Sequence, residues 1–291
     1  TQKVAGLHAH VSSGVSFWRK GLFIALTRLF GRPVIFHLHG GNFIAFIRSL
    51  SGVRRRMALW IIQQSQLAYA LTEESRAWLN SEMGIGDVRI MPNPVELSSP
   101  PHFGSRTQDV LFIGRLEHAK GVFDLLEAFA RVKHQFPNSR LVFCGAGERA
   151  PIQEIADTHG LQSCVEFTGW IDQKEIRRRI LSCGVYVLAS HQEQMPMTVL
   201  ESMALGAPVV ATQVGAIAQL IEDGVSGLVV PAKEPAKLAQ AISQILGKDG
   251  HAGLQEVMPR CAYSRIVAEH APQNVLKILD SDYLFLLSKV Q

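Results

Sequence analysis

Short apolar runs of buried-strand type alternate with helical segments along almost the whole chain. No other feature restricts the fold so tightly. In the first part the strand candidates are 4–8, 32–38, 67–72 and 88–91, separated by helix candidates at 16–30, 54–66 and 74–83. A second series follows with strands at 109–113, 140–144, 164–168, 185–189 and 208–211, and helices at 122–135, 149–159 and 173–182. A further turn and strand at 224–231, a helix at 236–246 and an apolar terminal helix at 272–290 complete the chain. Runs of four or five apolar residues bounded by turn signals read as buried strands, and their alternation with helices specifies a parallel, doubly wound sheet.

The two series are separated by a polar, Ser- and Pro-rich stretch, which reads as a linker over 97–108. This predicts a first domain over 1–96, a second over 109–271, and a C-terminal helix over 272–291 that packs back on the first domain. With 291 residues, 47% of them hydrophobic, the chain is long enough for two domains of ordinary size. Two open α/β sheets joined by a short linker predict a cleft between them, with ligand at the strand C-termini. A formal charge of +4 is too mild to indicate a nucleic-acid partner. Cys144, Cys164, Cys183 and Cys261 show no paired spacing. That argues against a zinc site or disulfide framework and fits a reducing cytoplasm. No run of 18 apolar residues is free of charge, so no spanning helix is expected.

Chemistry concentrates in 190–211, SHQEQMPMTVLESMALGAPVVA. Val199, Leu200, Met203 and Ala204 fall at helical spacing between two strands, and Gly206 is placed to end the helix. A helix N-terminus at the C-terminal end of parallel strands presents unpaired N–H groups, which suit an anion. Glu193 and Glu201 bracket the loop with seven residues between them, and carboxylates there accept hydrogen bonds from hydroxyls. Free amides for phosphate beside carboxylates for hydroxyls suit a sugar nucleotide. Thr198-x-x-Glu201 also reads as a capping box, in which Glu201 ties down the helix start. Upstream, Arg115 and Lys120 follow a strand, with Gly114 and Gly121 at either end of their loop. Two cations fixed close together can hold a diphosphate and stabilise it as it leaves; the alternative is two surface cations at a helix start. Gly145-Ala146-Gly147 is a G-x-G after a strand, a weak signal alone.

Together, G-R-L-x-x-x-K-G at 114–121 and the E-x7-E at 193–201 resemble the signature of family 4 retaining glycosyltransferases, which have the GT-B fold. The resemblance implies two Rossmann-like domains facing across a cleft, and it covers nearly all of the chain, most specifically 109–232. It implies that Arg115 and Lys120 hold the donor diphosphate, helped by the Thr198, Val199 and Leu200 amides. Glu193 would reach the transferred sugar and Glu201 the ribose hydroxyls. It places Gly114, Gly145 and Gly147 where backbone approaches the donor, and Trp170 at the end of a strand beside the nucleotide base, as a stacking face or as a core or rim aromatic. The H-G at His39-Gly40 is implied to contribute a histidine that faces the donor sugar. Many relatives carry Gly after the first Glu, whereas this chain has Gln194, which is strained if that position needs φ > 0.

The implied activity is transfer of a hexose from GDP-mannose or a UDP-hexose to a glycan or polyprenyl-linked acceptor in cell-surface polysaccharide synthesis. Such enzymes are generally metal-independent, so no cofactor and no metal are expected. His8-x-His10 and His37-x-His39 resemble metal pairs, but no third ligand is evident from the sequence. Asp280-Ser281-Asp282 reads as a solvated helix face rather than a metal motif. The basic helices carrying Arg19, Lys20 and Arg54–Arg56 read either as solvated faces or as a peripheral contact with the inner face of the plasma membrane. Relatives begin with a strand and a Gly-rich loop that have no counterpart here, so the first domain is expected to be incomplete. Two readings follow: an enzyme whose first domain extends upstream of Thr1, or a donor-binding half or inactive binding module that needs a partner chain.

Overall fold

The computed structural model describes residues 4–97, 101–247 and 256–288. In chain order the first elements are β1 (Leu7–Val11), α1 (Val15–Leu29), β2 (Val34–Leu38), α2 (Phe43–Ser49), α3 (Gly52–Gln63), β3 (Leu67–Ala70), α4 (Glu73–Ser81) and β4 (Val88–Ile90). Then come β5 (Val110–Ile113), α5 (Val122–Gln135), β6 (Leu141–Cys144), α6 (Arg149–Thr158), β7 (Val165–Gly169), α7 (Gln173–Ser182) and β8 (Val185–Leu188). The chain ends with α8 (Met197–Ala204), β9 (Val209–Thr212), α9 (Ile217–Leu220), β10 (Leu228–Val230), α10 (Pro235–Leu246), α11 (Val257–His270) and α12 (Pro272–Ser288). It forms two compact units: Thr1–Asn93 with Pro272–Gln291, and Pro94–Ala271.

Unit 1 is a four-stranded parallel sheet in the order β1-β2-β3-β4. Every residue of β2 and β3 is buried, as a parallel sheet covered on both faces requires. One face packs Phe17, Ile24, Phe36, Phe43, Ile62 and Trp78 into a core. On the other, α12 returns to the sheet and packs Val275 and Leu286 against Ile35, Leu67, Tyr69 and Met91. The sequence sets Phe17, Leu22, Phe23, Leu26, Leu29 and Phe30 on the apolar side of α1, and of these only Phe17 is buried. The buried side of the helix is Phe17, Gly21 and Ile24, whereas Leu22, Phe23, Leu26 and Leu29 are exposed. Gly21 packs against Ile61 of α3 so closely that a Cβ would stand 2.8 Å from it, and that approach selects the face.

The reading of Asp280-Ser281-Asp282 as wholly solvated is also corrected. Asp280 and Ser281 are exposed, but Asp282 is buried. Its Oδ2 accepts from the Tyr69 hydroxyl at 2.6 Å, and its other oxygen pairs with Arg89. A buried carboxylate is tolerable only when paired and hydrogen-bonded, and Asp282 has both kinds of partner. Burial, with Asp282 beside it, raises the Tyr69 phenol above its ordinary value.

Unit 2 is a six-stranded parallel sheet in the order β10-β9-β8-β5-β6-β7. Its core joins Phe112, Leu125, Phe129, Phe143, Val187, Val210 and Ile242. The chain runs from β5 through β6 to β7 on one side, then returns to place β8 on the other side of β5. The C-terminal ends of β5 and β8 are therefore the topological switch point, where open α/β sheets bind ligands. Residues 101–108, read from the sequence as linker, are tied to this unit. The half-buried Arg106 guanidinium donates to the carbonyls of Ile180, Leu181 and Cys183 at 3.1–3.3 Å, and to those of His102 and Gly206. Residues 98–100 of that stretch lie outside the described residues. No helix among the described residues is long and apolar enough to cross a membrane.

Candidate functional site

The loops leaving β5 and β8 meet. After β5, residues 114–117 run extended alongside 145–147, with Leu116 bridged to Gly147. The backbones touch so closely that a Cβ on Gly145, which has φ +147°, would stand 1.9 Å from the Gly114 carbonyl oxygen. No other residue type fits there without moving the chain. A short 3₁₀ turn at His118–Lys120 follows and ends at Gly121, φ +65°. A Cβ on Gly121 would stand 1.9 Å from the Ala189 carbonyl oxygen. This contact docks the start of α5 on the end of β8.

The loop after β8 is fastened to the same turn. The His191 N–H donates to the Ala119 carbonyl at 2.9 Å, and His191 Nε2 pairs with Asp124 Oδ2 of α5 at 2.7 Å. Lys120 Nζ donates to Glu193 Oε1 at 2.5 Å, and Ser190 Oγ donates to the same oxygen at 2.8 Å. The ion pair is half-buried, with the Lys120 side chain 27% exposed and that of Glu193 12%. Below it the fully buried Tyr186 donates its hydroxyl to Thr198 Oγ1 at 2.6 Å, and burial raises its phenol above the ordinary value.

The helix α8 starts differently from the capping-box expectation. Its N-cap is Pro196, with no side-chain cap, and Thr198 lies inside the first turn. The Val199 and Leu200 amides bond the Pro196 carbonyl at 3.2 and 3.4 Å, long contacts at the weak end of the hydrogen-bond range. Glu201 is half-buried, and no described residue pairs with its carboxylate; burial raises its pKa. It is therefore not spent on holding the helix. Gln194 does not have a positive φ, since Lys233 alone among the described non-glycine residues does. The strain foreseen at Gln194 is absent.

Of the residues singled out in the sequence, the structure brings Lys120 and Glu193 into direct contact and sets Thr198 beneath the same loop. Arg115 is 81% exposed and pairs only loosely with Glu117, at 3.4 Å; it does not touch the Glu193 loop. Trp170 follows β7 with 87% of its surface exposed, so of the readings open for it the core aromatic is excluded. Sequence reasoning missed Ser190, His191 and Asp124. The signal available for His191 and Asp124 was their position, one just past the end of β8 and the other in the first turn of α5.

His39 lies in unit 1, at the end of β2, where its N–H donates to the Val11 carbonyl at 2.8 Å. Its ring joins those of His8, His10 and His37. The register pairs His10 with His37, and residues two apart on a strand share a face, so the four imidazoles form one layer. His10 Nδ1 lies 2.8 Å from His39 Nε2, and His8 Nε2 lies 3.1 Å from His37 Nδ1. Burial is the main cause that lowers all four pKa values: His8 and His39 to about 4, His37 to about 2, and His10 by direction only.

Two parallel α/β sheets, the second carrying its loop cluster at the switch point, define a protein of the GT-B glycosyltransferase fold. The chain belongs to the family of glycosyl transferases group 1, whose model matches residues 98–263. Its structure is similar to sucrose-phosphate synthase from Thermosynechococcus elongatus, with a TM-score of 0.80 and 20% identity over 97% of this chain and 74% of that one. It is also similar to HepE from Anabaena in complex with UDP, with a TM-score of 0.79 and 18% identity over 94% of this chain and 78% of that one. In sequence it is 24% identical to a glycogen synthase of Mycobacterium tuberculosis over 276 residues, 90% of this chain and 65% of the relative. The chain spans about half to two thirds of the length of such curated relatives.

Proposed function

We propose that unit 2 binds a nucleotide sugar at the loops leaving β5 and β8, and that the protein transfers its hexose to an acceptor hydroxyl with retention of configuration. The contact between Lys120 and Glu193 carries the reading. It sets a cation for the diphosphate beside a carboxylate for the sugar, at the switch point of the sheet. Lys120 has three N–H donors, and one is used by Glu193, so it can grip a phosphate oxygen without leaving its partner. Arg115, exposed and only loosely paired with Glu117, supplies a second cation, and the start of α8 adds amides and dipole. Glu201, with no described partner, accepts from the ribose hydroxyls.

In the proposed step the bond from the anomeric carbon to the diphosphate oxygen breaks, and the bond to the acceptor oxygen forms on the same face. The acceptor proton passes to the departing diphosphate oxygen. Arg115 and Lys120 stabilise the charge that develops there, in place of a metal ion. His39 is proposed as a contact to the transferring sugar; its Nε2 lies against His10 Nδ1, which leaves its Nδ1 for that contact.

The donor is proposed to be GDP-mannose or a UDP-hexose, and UDP in the HepE structure supports the second. The acceptor is proposed to be a glycan or polyprenyl-linked glycan of a cell-surface polysaccharide, reached at the inner face of the plasma membrane. Exposed Phe23 and Leu26 of α1, and exposed Trp60 with Arg54–Arg56 on α3, support a peripheral contact of that kind. The test is calorimetric titration with UDP and with GDP, followed by a turnover screen across nucleotide sugars using protein that includes any upstream sequence. Saturable binding of one nucleotide that falls at least tenfold in Lys120→Ala supports the reading. Absence of binding to both, or equal binding by the variant, contradicts it.

A further inference from the structure

We propose that His8, His10 and His37 form a binding site for one divalent transition-metal ion of the zinc class. The inference goes beyond the nucleotide-sugar reading and does not depend on it. From sequence the two H-x-H pairs lacked a third ligand. The parallel register of β1 and β2 supplies it, because it sets His10 directly across from His37 with His8 two residues away on the same face.

The dimensions suit the ion. One ligating nitrogen from each of the three rings lies within 4.8 Å of the other two. Bonds of about 2.0–2.1 Å in tetrahedral arrangement place nitrogens about 3.3 Å apart. His8 Nε2 and His37 Nδ1 already stand 3.1 Å apart, so rotation of side chains rather than backbone motion completes the set. Three imidazoles leave a fourth position open to water, and nitrogen-only ligation selects Zn²⁺ or Co²⁺ over Mg²⁺ or Ca²⁺.

Two further observations point the same way. A ligating histidine ordinarily has its other nitrogen held by a hydrogen bond, which fixes the ring and its tautomer. Tyr283 of α12 holds His8 Nδ1 at 2.6 Å, and His39 holds His10 Nδ1 at 2.8 Å. That leaves the Nε2 atoms of His8 and His10 for the ion. Independently, His37 is 95% buried and its Nε2 has no hydrogen-bond partner among the described residues. A buried ring nitrogen without a partner is uncommon; with Nε2 unheld, the His37 ring can turn its Nδ1 onto an ion shared with His8 Nε2. His10, at the exposed edge, provides the way in.

The experiment uses the full chain without an affinity tag, stripped by chelator and titrated with ZnCl₂ by calorimetry and with CoCl₂ by absorption spectroscopy. The expected result is one Zn²⁺ per chain and a Co²⁺ spectrum of tetrahedral intensity. His8→Ala and His10→Ala each weaken binding by roughly tenfold or more, as does Tyr283→Phe through the lost tether. His134→Ala, on the exposed side of α5, leaves it unchanged. Histidine-labelled ¹⁵N spectra of the unsubstituted chain decide the matter should a variant fail to fold. Zn²⁺ must shift the ring nitrogens of His8, His10 and His37. Absence of saturable binding, or shifts confined to other histidines, overturns the proposal.

Discussion

Glu201 and Lys120 show how single side chains in this site trade stability against binding. Burial raises the Glu201 carboxyl pKa, so the folded protein holds that proton more tightly than the unfolded chain. The cost of ionising it is complete above the folded pKa and is relieved as pH falls through it. Glu201→Gln removes the cost. It should raise the melting temperature by ~2 °C at pH 8, and lower the affinity for UDP or GDP by about tenfold, the worth of one hydrogen bond to a charged group. Melting curves and titrations at that pH check both signs. Lys120→Ala behaves oppositely. It leaves Glu193 with only the Ser190 hydroxyl, at a cost of about 1–2 kcal/mol, whereas turnover should fall by roughly 10²–10³-fold. A transfer assay beside a thermal melt separates the two; equal losses would mean that Lys120 is merely structural.

At the scale of elements, backbone approach and buried polar pairs decide what the loops and helices can tolerate. The strand-end loops at 114–117 and 145–147 lie against each other with no room for a side chain between them. Gly145→Ala drives a Cβ into the Gly114 carbonyl and should destabilise unit 2 by about 3 kcal/mol or more, read as a drop in the denaturant midpoint. In unit 1 the Asp282 carboxylate fastens α12 to β3 and β4 through Tyr69 and Arg89. Asp282→Ala strands the buried Tyr69 hydroxyl and takes one partner from Arg89, which keeps Asp87. Amide exchange of 67–70 and 88–90 should quicken by roughly 100-fold, corresponding to about 3 kcal/mol. Unchanged exchange there would show that α12 is held by its apolar contacts alone.

The elements themselves were largely legible in the sequence, because four-residue apolar runs such as VLFI and LVFC have no other place to go than a sheet buried on both faces. The second half, whose helices α5, α6, α7 and α10 segregate their apolar residues more sharply, read more clearly than the first. What could not be read depended on register and on packing partners. The α1 helix is apolar nearly all round, so periodicity did not reveal that Gly21 rather than Leu22 faces inward. The helices α2, α9 and α11 went unnoticed, the first two for shortness and α11 for its weakly segregated apolar residues. Asp282 looked solvated because nothing in its neighbourhood announces a tyrosine 213 residues upstream. The capping-box reading failed because Pro196 sets the helix start two residues before Thr198. The family resemblance suggested Lys120 and Glu193 as members of one site, but not that they touch. The histidine layer was the opposite case: both pairs were visible, and only the pairing of β1 with β2 joins them.

At the scale of the whole chain, two parallel sheets are each completed by a segment that the sequence places elsewhere. Unit 1 takes its last helix from the far end of the chain, and unit 2 holds residues 101–108 that join the two in sequence. The nucleotide reading assigns its diphosphate and ribose contacts to unit 2 alone. Hydrogen–deuterium exchange of the full chain, with and without saturating UDP or GDP, tests that assignment most directly. One of the two nucleotides should slow exchange in 114–121 and 190–201, and the Lys120→Ala chain should lose that protection. Protection confined to other segments, or retained in full without Lys120, would contradict it.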